Sequence, residues 1–227
     1  MPIREKLHAV RQRLNAACAR AGRDPGDVRI VVVTKTVGVD AINELIALGA
    51  TDIGENRVQD AARKAATVRR QPSPTVTFHM IGHLQTNKAA QAVRAFDVIH
   101  SIDSLRAAQA ASRAAEAQGK LMPVLLEVNV SGEESKYGFD PEGAFAAARE
   151  ISALPGIRLD GLMTMAPLGA DEPTIRSVFR GLRELRDRMS SELGIALPHL
   201  SMGMSQDFEI AVEEGATMVR VGTAIVG

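Results

Sequence analysis

Lys35 directly follows the β-branched run IVVVT, and this placement is the clearest hint of chemistry in the chain. A lysine leaving a buried strand is expected beside the core. There desolvation lowers the pKa of its amine and frees it to attack an aldehyde. On position alone, a surface lysine just past a strand is an equal reading. The far end of the chain tilts the balance. HLSMGM runs into Ser205, and MVRVGT carries Gly222 and Thr223. Two hydroxyl donors, a glycine that lets backbone N–H groups approach, and a helix start form a candidate phosphate cradle. Arg220 lies two residues before Gly222, hence on the same side of its strand, and a buried arginine needs a ligand or a carboxylate. An aldehyde-reactive lysine facing a phosphate cradle points to a phosphorylated aldehyde, of which pyridoxal 5′-phosphate is the commonest cofactor.

Other polar clusters also follow apolar runs: GEN (Gly54–Asn56), HMIGHLQTNK (His79–Lys88), HSIDS (His100–Ser104) and NVSGEESKYGF (Asn129–Phe139). Asn56 and His83 are the better candidates among them for ligand contact. Asp103 and Ser104 suit helix N-caps, and Thr86 or Asn87 could open the next helix. His79 and His83 are four apart on a strand and its following turn, but no third zinc ligand is evident, so no metal site is expected. Gly-x-Gly, GxxxxGK[ST], HExxH, a cysteine pair and GxSxG are all absent from the chain. Met163 with Met165, and Met202 with Met204, alternate as strand residues and read as core before cofactor packing.

The elements that must position these groups alternate. Apolar runs fall near Val28–Thr34, Thr51–Gly54, Thr77–Gly82, Asp97–Ile102, Pro123–Val130, Leu159–Met165, His199–Met204 and Met218–Thr223. Helical patterns separate them, the longest spanning Glu172–Leu193 with Ile175, Val178, Phe179, Leu182, Leu185 and Met189 on one face. Eight strands separated by helices predict a parallel (β/α)₈ TIM barrel. Ile3, Leu7, Val10, Leu14 and Cys18 mark an amphipathic helix before the first strand. No helix is expected after the eighth strand, so the N-terminal helix should cover that gap. QPSPT (Gln71–Thr75) reads as a loop, and no linker or repeat divides the chain, so residues 1–227 are expected to form one domain.

Composition narrows the partners. Lys plus Arg and Asp plus Glu both number 27, and aromatic residues make up 3% of the chain. Balanced charge and so few stacking platforms argue against nucleic acid and anionic membranes. The lone Cys18, a charged N-terminus in place of a signal peptide, and no apolar run of membrane-spanning length make the cytoplasm the expected compartment.

GENRVQD, FHMIGHLQTNK, HSIDS, NVSGEESKYGF, GLMTMAP, LSMGMSQDFEIAVEEGATMVRVGTAIVG and the lysine of VVVTK together resemble the pyridoxal phosphate homeostasis protein family, from about Val28 to Gly227. VTK stands where VSK is more usual, and IVG where IFG is common. The resemblance implies a barrel like the N-terminal domain of alanine racemase, with pyridoxal 5′-phosphate bound as a Schiff base on Lys35. Arg220 would meet the pyridine nitrogen, and Ser205, Gly222 and Thr223 would hold the phosphate. The first reading is then a non-catalytic role in vitamin B6 homeostasis, supplying cofactor to pyridoxal-phosphate-dependent apo-enzymes; with no second domain to swap, a monomer is expected. A racemase or decarboxylase is the alternative, and a barrel aldolase using Lys35 directly is a third. Against catalysis stand the residue types that serve as the second acid or base in the related enzymes. The chain has one tyrosine, Tyr137 in a loop, and one cysteine, Cys18 on an apolar helix face.

Overall fold

The structure, a computed structural model, describes residues 1–68, 76–133 and 136–227. The loop expected at 71–75 lies outside them. Eight parallel strands close a barrel in chain order: β1 (Arg29–Val33), β2 (Asp52–Glu55), β3 (Thr77–Met80), β4 (Val98–Ile102), β5 (Met122–Glu127), β6 (Ile157–Met163), β7 (His199–Ser201) and β8 (Met218–Val221). β8 returns to β1 with Val31 opposite Arg220 and Val32 opposite Val221. This is the (β/α)₈ barrel that the alternating pattern predicts.

Helices α1 (Ile3–Arg20), α2 (Val39–Ala47), α3 (Val58–Val68), α4 (Ala89–Ala95), α5 (Leu105–Glu116), α6 (Pro141–Ser152), α7 (Glu172–Leu193), α8 (Phe208–Glu213) and α9 (Thr223–Val226) surround the strands. Their starts follow local chemistry. Ser104 Oγ accepts from the Ala107 N–H at 3.2 Å to cap α5, and Asp140 caps α6 ahead of Pro141. Asp171 caps α7, which runs to the left-handed Gly194 (φ 67°). Leu7, Val10, Leu14, Ala17 and Cys18 of α1 are buried at helical spacing, and burial pushes the Cys18 thiol pKa up.

Two expectations need correction. A short helix, α9, does follow β8, so α1 shares the closing role with it. α1 packs against α8 and α9, the Lys6 amine donates to the Gly227 carbonyl, and Arg13 and Arg20 pair with Glu209 and Glu213, each at 2.7 Å. The fifth and seventh strands are also shorter than the apolar runs. Beyond Glu127 only an isolated bridge joins Val128 to Phe139. Beyond Ser201 the chain turns at Gly203 (φ 89°), where a Cβ would lie 2.5 Å from Ala211 Cβ and 2.9 Å from Phe208 Cα. Among the described residues no helix is long and apolar enough to cross a membrane.

Candidate functional site

In (β/α)₈ barrels the strand C-termini form the working face. Val32 lies opposite Val221, so Lys35 leaves β1 beside the point where Gly222 leaves β8. Thr34 is fully buried, with its Oγ1 donating to Glu55 Oε1 at 2.5 Å. The Val37 N–H bonds back to the Thr34 carbonyl at 3.1 Å, and this turn lifts Lys35 off the sheet. Lys35 is therefore exposed at the rim, and protein atoms do not supply the burial expected beside the core. Across the β1–β8 seam, the N–H groups of Gly222 and Ala224 both point at Ser205 Oγ, each at 3.3 Å. A Cβ on Gly222 would come within 3.2 Å of Val33 Cβ, a tight approach that favours a bare backbone there. Thr223 is exposed at the start of α9. Ser205, Gly222 and Thr223 thus sit together, next to Lys35.

Arg220 points into the barrel at 4% exposure. Its Nη1 donates to Ser201 Oγ at 2.7 Å and its Nη2 to the Thr164 carbonyl at 2.9 Å. Burial pulls its pKa down to about 10, opposed by the Glu127 and Asp207 carboxylates, so it stays cationic near neutral pH. Ser201 Oγ lies 2.9 Å from His100 Nδ1, His100 Nε2 lies 2.9 Å from His79 Nδ1, and His79 Nε2 lies 3.0 Å from Asp52 Oδ1. Barrel interiors are ordinarily filled by branched apolar side chains. Here one polar residue from each of β2, β3, β4, β7 and β8 occupies that space. Burial drives the His100 pKa well below the ordinary imidazole value, helped by His79, Arg220 and His199.

Asn56 and His83 line one cleft with Gly82, beyond β2 and β3, and neither Lys35 nor Arg220 lines it. His83 Nδ1 pairs with Asp103 Oδ2 at 2.8 Å, and the ring stacks on Tyr137 with centroids 4.1 Å apart. His79 points into the barrel while His83 stands outside it, so the two do not share a ligand. Among the described residues no group of three or more His, Cys, Asp or Glu could hold a metal ion. Met163 and Met202 are core residues, whereas Met165 and Met204 are half-buried. Two features went unread in the sequence. Lys64 on α3 is buried, with Nζ 2.7 Å from Glu55 Oε1 and 2.8 Å from the Thr34 carbonyl. Glu127, at the end of β5, is 4% exposed.

Burial, with repulsion from Asp103, raises the Glu127 pKa to about 7, against a smaller opposing pull from Arg220. The folded pKa exceeds the ordinary carboxyl value, so between about pH 4.5 and 7 the native state holds a proton that the unfolded state has lost. The Glu127 contribution to stability is therefore most favourable below that window and is lost as pH rises through it. Glu127→Gln is expected to be neutral at pH 4 and stabilising at pH 8 by on the order of 3 kcal/mol. Urea unfolding of both proteins across that range checks it. An unchanged difference between pH 4 and pH 8 would remove the basis for this assignment.

A closed parallel barrel with a lysine at the β1 exit and a cradle after β7 and β8 places the chain in a class. The family model for the alanine racemase N-terminal domain matches residues 6–227. An alanine racemase of Clostridium difficile shares the fold with a TM-score of 0.76 at 18% identity, over 96% of this chain and 56% of that one. Within this class the chain belongs to the pyridoxal phosphate homeostasis protein family. It is 41% identical over 223 residues to the pyridoxal phosphate homeostasis protein of Aquifex aeolicus, covering 98% of this chain and 96% of that one. It is 40% identical over 225 residues to the protein of that name from Pseudomonas aeruginosa, covering 99% and 95%. PipY of Synechococcus elongatus, in a structure with PLP bound, superposes with a TM-score of 0.87 at 35% identity, covering 99% of this chain and all of that one.

Proposed function

We propose that this protein binds pyridoxal 5′-phosphate as a Schiff base on Lys35 and supplies it to cofactor-dependent enzymes in vitamin B6 homeostasis. In this reading residues 1–227 act as one domain, as a cytoplasmic monomer, with no turnover of their own. The carrying observation is the convergence of the Gly222 and Ala224 N–H groups on Ser205 Oγ, beside the strand exit that presents Lys35. Those donors, a second hydroxyl on Thr223 and a cation at Arg220 fit a group with a phosphate at one end and a basic ring nitrogen at the other. Relatives named for pyridoxal phosphate homeostasis and the PLP-bound PipY structure support the same assignment.

When bound, the cofactor supplies an electrophilic aldehyde and an electron-withdrawing ring. Lys35 provides the amine, and its exposure leaves it reachable from solvent. Ser205 and the Gly222 and Ala224 amides would hold the phosphate through neutral donors. Arg220 offers the ring nitrogen a donor that keeps its own proton, which disfavours ring protonation and weakens carbanion chemistry. Tyr137 is 60% exposed and stacked on His83, and Cys18 is buried on α1. The residue types that act as second acid or base in the related enzymes are thus represented here only by an exposed ring stacked on a histidine and a buried helical thiol, which supports holding over turnover.

Two measurements test the reading. Purified protein should take up added pyridoxal 5′-phosphate and turn yellow, and the loaded protein should restore activity to a cofactor-free enzyme. A protein that takes up no cofactor ends this proposal. Exchange of an amino acid's α-proton in deuterated water at enzymatic rates would instead favour the racemase alternative.

A further inference from the structure

We propose that Asp52, His79, His100 and Ser201 form a one-way donor chain through the barrel that orients Arg220 toward its ligand, with His79 and His100 as positioning residues. The proposal rests on the pyridoxal phosphate reading for the identity of that ligand, but the chain itself is a property of the cofactor-free protein.

Donor directions follow from the distances and from what each group can do. The Asp52 carboxylate is held ionised below its ordinary range by its hydrogen bond to His79, against the opposing effect of burial. An ionised carboxylate only accepts, so His79 Nε2 carries the proton in the 3.0 Å contact. A neutral His79 then accepts at Nδ1, and His100 must donate from Nε2 across 2.9 Å. A neutral His100 in turn accepts at Nδ1, and the donor placed there among the described residues is the Ser201 hydroxyl. Ser201 therefore spends its one hydrogen on His100 and presents a lone pair to Arg220 Nη1 at 2.7 Å. Every donor points from Arg220 toward Asp52, and each is satisfied.

The reverse arrangement fails on the same accounting. A doubly protonated His79 would aim a donor at His100 Nε2, and His100 Nδ1 would then donate to Ser201. The Ser201 hydroxyl hydrogen would lose its acceptor inside a fully buried site, a costly orphan. The chain thus makes Ser201 an obligate acceptor. Arg220 has Nη1 pinned by Ser201 and Nη2 by the Thr164 carbonyl, which fixes the plane of the guanidinium. His79 and His100 also meet edge to face, with centroids 5.0 Å apart and planes at 86°, so neither ring can turn without displacing the other. A barrel interior that needed only filling would be served by apolar side chains. Five polar residues in series, anchored by a carboxylate at one end and a guanidinium at the other, have a direction that filling does not require.

The first test uses ¹⁵N-histidine-labelled, cofactor-free protein near pH 7.5. Both imidazoles should be neutral with the proton on Nε2, the two signals being assigned by their loss in His79→Asn and His100→Asn. A proton on Nδ1 of either ring overturns the chain. The second test compares His100→Asn, which keeps an acceptor for Ser201, with His100→Phe, which keeps the shape and removes it. The phenylalanine variant should bind pyridoxal 5′-phosphate roughly five- to tenfold more weakly and shift the absorption band of the bound cofactor, with the asparagine variant close to wild type. A folded His100→Phe protein with unchanged affinity and spectrum overturns the orienting role. If the wild-type protein takes up no cofactor, the binding proposal fails, while the imidazole tautomers still decide the chain.

Discussion

Lys35→Ala is expected to abolish covalent capture of pyridoxal 5′-phosphate while leaving the fold intact. Borohydride treatment of loaded wild-type protein should add the reduced cofactor's mass to the peptide containing Lys35, and the variant should gain none. The loss should be complete, because the competing amine near this strand exit is unfit. Lys64 is buried, ion-paired to Glu55 and bonded to the Thr34 carbonyl, so its amine is neither free nor accessible. Affinity should fall without vanishing. Ser205, Gly222 and Ala224 remain to hold the phosphate, and a hydrogen bond to a charged group contributes about 1.5–3 kcal/mol. Stability should change by no more than about 0.5 kcal/mol, since Lys35 is an exposed side chain beyond the strand. Mass spectrometry, equilibrium dialysis and thermal unfolding read the three effects separately. A reduced adduct persisting in Lys35→Ala would show that another lysine carries the chemistry.

The parts of this site that can be read from sequence are those presented one after another at strand exits. Lys35 after IVVVT, Ser205 after HLSMGM and Gly222 after MVRV each break an apolar run with a residue the run does not explain. Helix α7 was legible at both ends because Asp171 caps it and Gly194 stops it in the left-handed region. The ends of β5 and β7 were not, because continued apolar character hides the point where the chain leaves the barrel. At β7 that point is set by how closely Gly203 packs on Phe208 and Ala211, a contact made only in the fold. The polar chain inside the barrel was harder still. Asp52, His79, His100, Ser201 and Arg220 each contribute a single polar residue to a different strand, and only barrel closure brings them together. The one available signal was a polar side chain at an inward position in each of several buried strands. Lys64 gave no signal, because a lysine within DAARKAATV reads as part of a solvated helix face until Glu55 is seen beneath it.

That hidden lysine leads to the largest expected change in stability. Lys64→Met should lower it by about 3–5 kcal/mol, the usual cost of leaving one member of a buried ion pair without its partner. The side chains of Lys64 and Glu55 are 5% and 1% exposed, so water cannot replace the lost contact without opening the α3–β2 interface. Glu55 is already only partly satisfied. Its Oε1 accepts from Lys64 and Thr34, while its buried Oε2 has no hydrogen-bond partner among the described residues, so the carboxylate depends on the lysine for most of its compensation. At about 2–4 °C per kcal/mol for a chain of this size, the thermal midpoint should drop by roughly 6–20 °C. Replacing both members, Lys64→Met with Glu55→Leu, should recover only part of that loss: the charge desolvation is removed, but the buried Thr34 hydroxyl loses its acceptor on Glu55. The pair also reaches the proposed Schiff-base lysine, since Lys64 Nζ holds the carbonyl of Thr34, the residue before Lys35. The doubly apolar protein should therefore be more stable than Lys64→Met alone yet slower than the wild type to capture pyridoxal 5′-phosphate, with its Lys35 turn no longer anchored from below. Equal capture rates in that variant and the wild type would confine the pair to stability alone, and a single-variant loss under about 1 kcal/mol would contradict the burial argument itself.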